Sequence, residues 1–125
     1  MSVVKRLILA VAVTGACVAG PGSAVATGTG TVVPSTAQRT AILKAFGAPR
    51  AGWRCLTVRL AASDHRYATV RPPTSKGCLR WAFNGTNVLK RTSGNRWKVL
   101  FEGSAHACPL TRIPRQVQRD LRVCP

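Results

Sequence analysis

The sequence predicts an α+β domain: a helix, an antiparallel sheet of about five strands, and a short disulfide-stapled helix at the C-terminus. Three observations carry this. Apolar residues recur at helical spacing after Ser35. From residue 53 the apolar period changes to two, the signature of half-buried strands. The final stretch, "CPLTRIPRQVQRDLRVCP" at 108–125, returns to helical spacing between two cysteines.

The elements follow in chain order. Lys5 and Arg6 precede an apolar or small run, Leu7 to Gly20, and Ala24-Val25-Ala26 forms an A-x-A cleavage site. This reads as a secretory signal peptide over 1–26, with the mature chain starting at Thr27. Val13 to Cys17 offers an alternative address, a lipid anchor through Cys17. Residues 27–34 read as a Gly/Thr-rich flexible tether, and 35–125 as a single secreted domain. In "PSTAQRTAILKAFGAP", Ser35 and Gln38 fit an S-x-x-Q capping box. Ala41, Ile42, Ala45 and Phe46 share a face, and Gly47 and Pro49 stop the helix.

In "WRCLTVRL", Leu56, Val58 and Leu60 alternate with polar residues, and "YATVR" returns as the second strand of a hairpin. "CLRWAF" is expected as a third strand with Leu79, Trp81 and Phe83 on one side. Asn84-Gly85 is expected as the hairpin turn to "TNVLKR". "TSGN" then leads to "RWKVLFEG", with Trp97, Val99 and Phe101 expected on one side and Lys98, Leu100 and Glu102 on the other. Both helices are expected on one face of the sheet. Pro114 suits the first position of the last helix. Wound at 100° per residue, Ile113, Val117, Leu121 and Cys124 fall within about 80° of one another, and Arg115, Arg119 and Arg122 within about 60° on the other side.

Export decides how the cysteines are read. Besides Cys17 there are four: Cys55, Cys78, Cys108 and Cys124. An even count in a small exported chain points to two disulfides, with three pairings open. A Cys108–Cys124 bond would close a loop of about 15 residues, worth roughly 3 kcal/mol in the chain-entropy account, around a helix too short to persist alone. Cys55–Cys78 then follows by elimination.

Removing Lys5 and Arg6 from the 19 Lys and Arg leaves 17 against Asp64, Glu102 and Asp120, a net charge of +14. Such a balance implies either a highly soluble surface or a polyanionic partner: a wall polymer, nucleic acid or an anionic lipid surface.

Candidate chemistry is sparse. His65, His106 and Glu102 are the groups a small nuclease would need, but nothing aligns them. Asp64 and Glu102 have no spacing that would pair them as glycosidase carboxylates. His106, Cys108 and Cys124 lack the short C-x-x-C form of a metal site. No catalytic residue, metal or cofactor is assigned. Asn84-Gly85-Thr86 matches a glycosylation sequon and reads as turn chemistry. Trp53, Trp81 and Trp97, with Tyr67, Phe83 and Phe101, read mainly as core, with Trp53 the best candidate for an exposed ring.

The stretches "VRLAASDHRYATV", "VLKRTSGNRWKVLFEGS" and "CPLTRIPRQVQRDLRVC" resemble small secreted actinobacterial proteins that share a W-[KR]-V strand and a closing C…P…V..DL..C helix. The resemblance spans nearly all of the mature domain. It implies the fold and the C-terminal disulfide, and no activity. A helix followed by a meandering sheet is also similar to cystatin-like and NTF2-like architectures, as fold analogy alone.

The resulting expectation is a small secreted basic protein, a non-enzymatic binding module for an anionic partner at or outside the cell envelope, with Arg115, Arg119 and Arg122 as its anion-binding face. An inhibitor-type module directed at an extracellular protein, or a small secreted nuclease, is the alternative.

Overall fold

The computed structural model describes residues 29–125. The expected leader, 1–26, and Cys17 lie outside them. The described chain is α+β. Strand β1 (Thr31–Val32) precedes helix α1 (Thr36–Phe46), and β2 (Thr57–Ala61), β3 (Tyr67–Arg71), β4 (Thr86–Ser93), β5 (Arg96–Gly103) and helix α2 (Arg115–Asp120) follow. The strands form one antiparallel sheet in the order β1-β2-β3-β4-β5. No helix among the described residues is long and apolar enough to cross a membrane.

Helix α1 forms where local signals place it. Ser35 Oγ accepts from Gln38 N–H (3.2 Å), and the Gln38 side chain accepts from Ser35 N–H (2.9 Å). Both satisfy helix-end donors that would otherwise be orphaned. At the far end Gly47 takes φ 83°, with Gly47 N–H donated to Lys44 O and Ala48 N–H to Leu43 O. This is the Schellman closure that glycine favours.

The expectation that both helices share one sheet face is corrected. Ile42 and Leu43 of α1 pack with Leu56, Val58, Leu60, Ala68, Val70, Leu89 and Trp97. Ile113, Val117, Leu121 and Val123 pack with Ala61, Tyr67 and Val88. Adjacent strand residues, such as Tyr67 and Ala68 or Val88 and Leu89, thus divide between the two cores. Since successive side chains leave a strand on opposite faces, the helices lie on opposite sides of the sheet. A register shift between Val88 and Leu89 moves Phe101 into the second core with Leu100, not in line with Trp97 and Val99.

Three other local expectations change. Within the stretch read as a tether, Thr31 and Val32 pair with Ala61 and Leu60. "CLRWAF" is not a strand, because Lys76–Trp81 is a 3-10 turn and Leu79 is 54% exposed. The Cys55–Cys78 disulfide ties this turn to a preceding 3-10 turn, Arg50–Cys55. The Trp81 ring lies so close to Gly52 that a β-carbon there would stand 2.6 Å from it. Packing between two turns therefore produced the alternation that imitates a strand. Asn84-Gly85 consequently closes no hairpin. Gly85, at φ 106°, bends the chain into β4 against the backbone of Gly103. The β4–β5 hairpin turns at Gly94, φ 49°.

Strands β3 and β4 pair directly only at Tyr67–Lys90 and Ala68–Leu89. Beyond that point the buried Asn87 side chain continues the ladder, accepting from Val70 N–H (2.8 Å) and donating to Val70 O (2.8 Å).

Candidate functional site

The C-terminal segment is built from polar contacts as much as from apolar ones. Helix α2 has six residues, and Pro114 at its start supplies no side-chain cap. Gln118, 1% exposed, ties the helix to the loop before it. Its Oε1 accepts from Leu110 N–H (2.8 Å), and its Nε2 donates to Leu110 O (2.9 Å) and Ile113 O (2.7 Å). The helix packs the preceding loop onto itself in this way. The Cys108–Cys124 disulfide closes the segment, with Cα atoms 5.8 Å apart.

Asp120 is 2% exposed and carries no ion pair. Its carboxylate accepts from Gly30 N–H (3.1 Å), Ser63 N–H (2.9 Å), the Ser63 hydroxyl and Gln116 Nε2 (2.8 Å). Burial works against ionisation here. The donors from Ser63, Gln116 and Gly30 outweigh it and hold the carboxyl below its usual value. One side chain therefore joins the start of the sheet, the β2–β3 turn and α2. Helical winding sets Asp120 beside Ile113 and Cys124 and away from the arginines, but no local pattern announces its partners. The signal is an acid inside an apolar stripe in a chain with only three acids.

Arg115, Arg119 and Arg122 are all exposed, but they do not form one helical stripe. Helix α2 ends before Arg122, which takes φ 57°. Arg122 N–H is donated to Arg119 O (3.1 Å) and Val123 N–H to Gln118 O (3.0 Å). This is the closure that Gly47 makes for α1, with an arginine where glycine is favoured. Arg115 and Arg119 border a hollow with Cys108 and Pro109, and Arg119 and Arg122 border one with Cys124 and Pro125. Arg122 also borders a third hollow with Arg71, Thr69 and Thr86. Arg71 is held below its usual pKa, first by burial and then by the charges of Arg122 and Arg59. Three guanidiniums therefore crowd where β2, β3 and the C-terminal turn meet, and the buried Nε of Arg59 has no partner.

A second cationic cluster lies at the other end of β4. Lys90 stands directly opposite Lys98 on β5 and opposite Tyr67 on β3. Lys90 Nζ sits 5.5 Å from the Tyr67 ring centroid. Arg66 is held bidentately by Asp64, with Nε to Oδ1 at 3.0 Å and a guanidinium N to Oδ2 at 2.8 Å. The Arg66 side chain, ahead of the opposing cost of burial, holds the Asp64 carboxyl below its usual value. With Arg91, Arg112 and the turn residues Thr92 to Gly94, these cations line an open hollow of about 740 Å³. Sequence reading missed this cluster. Counting outward from the Ser93–Arg96 pair sets Arg91 against Lys98, and only the register shift between Arg91 and Ser93 brings Lys90 there instead.

The remaining candidates separate. His65 lies in the exposed turn before β3, while His106 follows β5, packs edge-on to Phe101 (5.0 Å) and has Nε2 2.7 Å from Val123 O. The strand register puts these histidines at opposite ends of the sheet, and Asp64 and Glu102 likewise. His106, Cys108 and Cys124 do cluster, but the two sulfurs are bonded to each other. Trp53 is half-buried, not exposed: its Nε1 donates to Ala48 O (2.8 Å) and Arg50 covers its ring. Trp97 is in the core, with its Nε1 unpaired. No protein-family model, curated protein or solved structure matches this chain.

Proposed function

We propose that this chain is an exported, non-enzymatic binding module for an anionic polymer, and that the polymer lies across the C-terminal turn at Arg115, Arg119 and Arg122, with Arg71 beside them. The observation that carries this is Arg122. It stands in a left-handed conformation that costs a non-glycine residue roughly 1 kcal/mol. It does so beside Arg71 and without a carboxylate. Both features work against stability, and an anionic partner would offset both. The wider charge supports the same reading. Among the described residues one ion pair forms, Arg66–Asp64, so sixteen of the 17 cations have no carboxylate partner. Guanidiniums fixed by a disulfide-closed backbone lose little entropy on engaging phosphates.

The test is titration of the oxidised protein with duplex DNA or teichoic acid across a salt series. Changing Arg115, Arg119 and Arg122 together to Gln is expected to flatten the slope of log K against log[salt] by about two to three units for DNA. The comparison set is Arg54, Lys76 and Arg80, exposed on the 3-10 turns. Arg71 cannot serve as a control because it adjoins Arg122. An equal drop with the comparison set would reduce the site to a diffusely basic surface. Arg122→Gly is expected to raise the melting midpoint while weakening binding. Salt-independent binding to one extracellular protein would favour an inhibitor-type module instead, and RNA loss abolished by His65→Ala or His106→Ala a nuclease.

A further inference from the structure

We propose that the hollow at the β4–β5 hairpin is a second, separate site, which takes a compact diphosphate group. This extends the polyanion reading to a small ligand.

The first reason is the Lys90–Lys98 pair. Like charges directly opposite on antiparallel strands are destabilising. Here no acid lies between them, and the one nearby carboxylate, Asp64, is already engaged by Arg66. The second reason is convergence. Arg66 comes from the β2–β3 turn, Lys90, Arg91 and Lys98 from the hairpin strands, and Arg112 from the loop before α2. Arg112 takes φ 65°, again left-handed without glycine. The third is preorganisation. Arg66 is fixed by Asp64, its carbonyl accepts from Arg91 N–H (2.8 Å), and Lys90 lies on the Tyr67 ring. The mouth is thus set before a ligand arrives, and side chains already in place lose less entropy on binding.

Charge and lining choose the ligand. With Arg66 neutralised by Asp64, four cations remain. A single phosphate carries about −1.5 to −2 near neutrality and a diphosphate roughly −3, so two joined phosphates come closer to balancing four cations than one does. The hydroxyls of Thr92 and Ser93 add neutral donors suited to phosphate oxygens. Leu100 is the only large apolar side chain in the lining, and no ring lines it. The site therefore recognises the diphosphate group and makes no stack with a base.

The measurement is calorimetric titration of the intact oxidised protein with inorganic pyrophosphate, orthophosphate and ADP at physiological ionic strength. Pyrophosphate is expected to bind with one site per chain and at least about tenfold more tightly than orthophosphate. ADP should be no tighter than pyrophosphate. Changing Lys98 and Arg112 together to Gln should weaken pyrophosphate by about tenfold or more, while the Gln triple variant at Arg115, Arg119 and Arg122 should leave it within about twofold. In the absence of ligand, Lys98→Gln alone should raise the melting midpoint by about 1–3 °C, since it relieves the like-charge pair. No pyrophosphate binding, or equal weakening by both sets of variants, overturns the proposal. So does a Lys98→Gln protein that melts lower. The C-terminal polymer site fails by a different result, an unchanged DNA salt slope in its own variants.

Discussion

The two faces of the sheet are covered by helices that solve one problem differently. Helix α1 has eleven residues, a reciprocal capping box and a glycine closure. No disulfide ties it to the rest of the domain. Helix α2 has six residues, no side-chain cap and an arginine closure. A disulfide, a buried amide and a buried carboxylate make up what its backbone lacks. Where local sequence is free to specify a helix, no staple is needed. Where the turn has been given over to cations, tertiary and covalent ties must hold it.

That contrast can be broken at graded cost. The largest effect belongs to the staple. Replacing Cys108 and Cys124 together with Ser is expected to cost roughly 2–5 kcal/mol by chemical denaturation. Amide exchange should rise in 108–124 before it rises in the sheet. Uniform destabilisation, with α1 loosened equally, would erase the distinction between the faces.

Asp120 comes next. Asp120→Ala leaves Ser63 and Gly30 donors without their acceptor and should cost about 2 kcal/mol. Because the folded carboxyl lies below its unfolded value, its contribution is fully present above about pH 4 and is lost as pH falls through the lowered folded value. Asp120→Asn should therefore flatten the acid limb of the stability profile. An unchanged limb would mean that the carboxylate's charge is not what the donors hold. The smallest effect is on the self-sufficient side. Ser35→Ala should cost about 1 kcal/mol and fray only the first turn of α1. A loss equal to that of Asp120→Ala would show that α1 is no more independent than α2.

Legibility in the sequence follows the same division. Ser35, Gln38 and Gly47 act within a few residues of one another, so α1 could be read in full. The β2–β3 and β4–β5 pairs were marked by alternation and by short turns. The turn at Lys76–Trp81 was not legible, because its apolar alternation comes from a contact with Gly52 and a disulfide to Cys55. The disulfide pairing was accessible because so few geometries allow a short segment to close on itself. The arginine stripe was only half legible. Helical winding assumes a helix that continues to Cys124, and the left-handed turn at Arg122 redirects that side chain toward Arg71, fifty-one residues earlier. Nothing local could announce that meeting.

The order of the strands has a consequence for self-association. A simple meander leaves an open edge, and here it is β5, eight residues long, while β1 at the other edge has only two. A long edge strand is a template on which another chain can add itself. Two register shifts along the β4–β5 ladder and the exposed Arg96, Lys98 and Glu102 keep this one irregular and charged. A second molecule approaching that edge also meets a like-charged surface. The excess of cations therefore also opposes the approach of two copies, and a polyanion that neutralised it would leave the register shifts as the main guard on that edge.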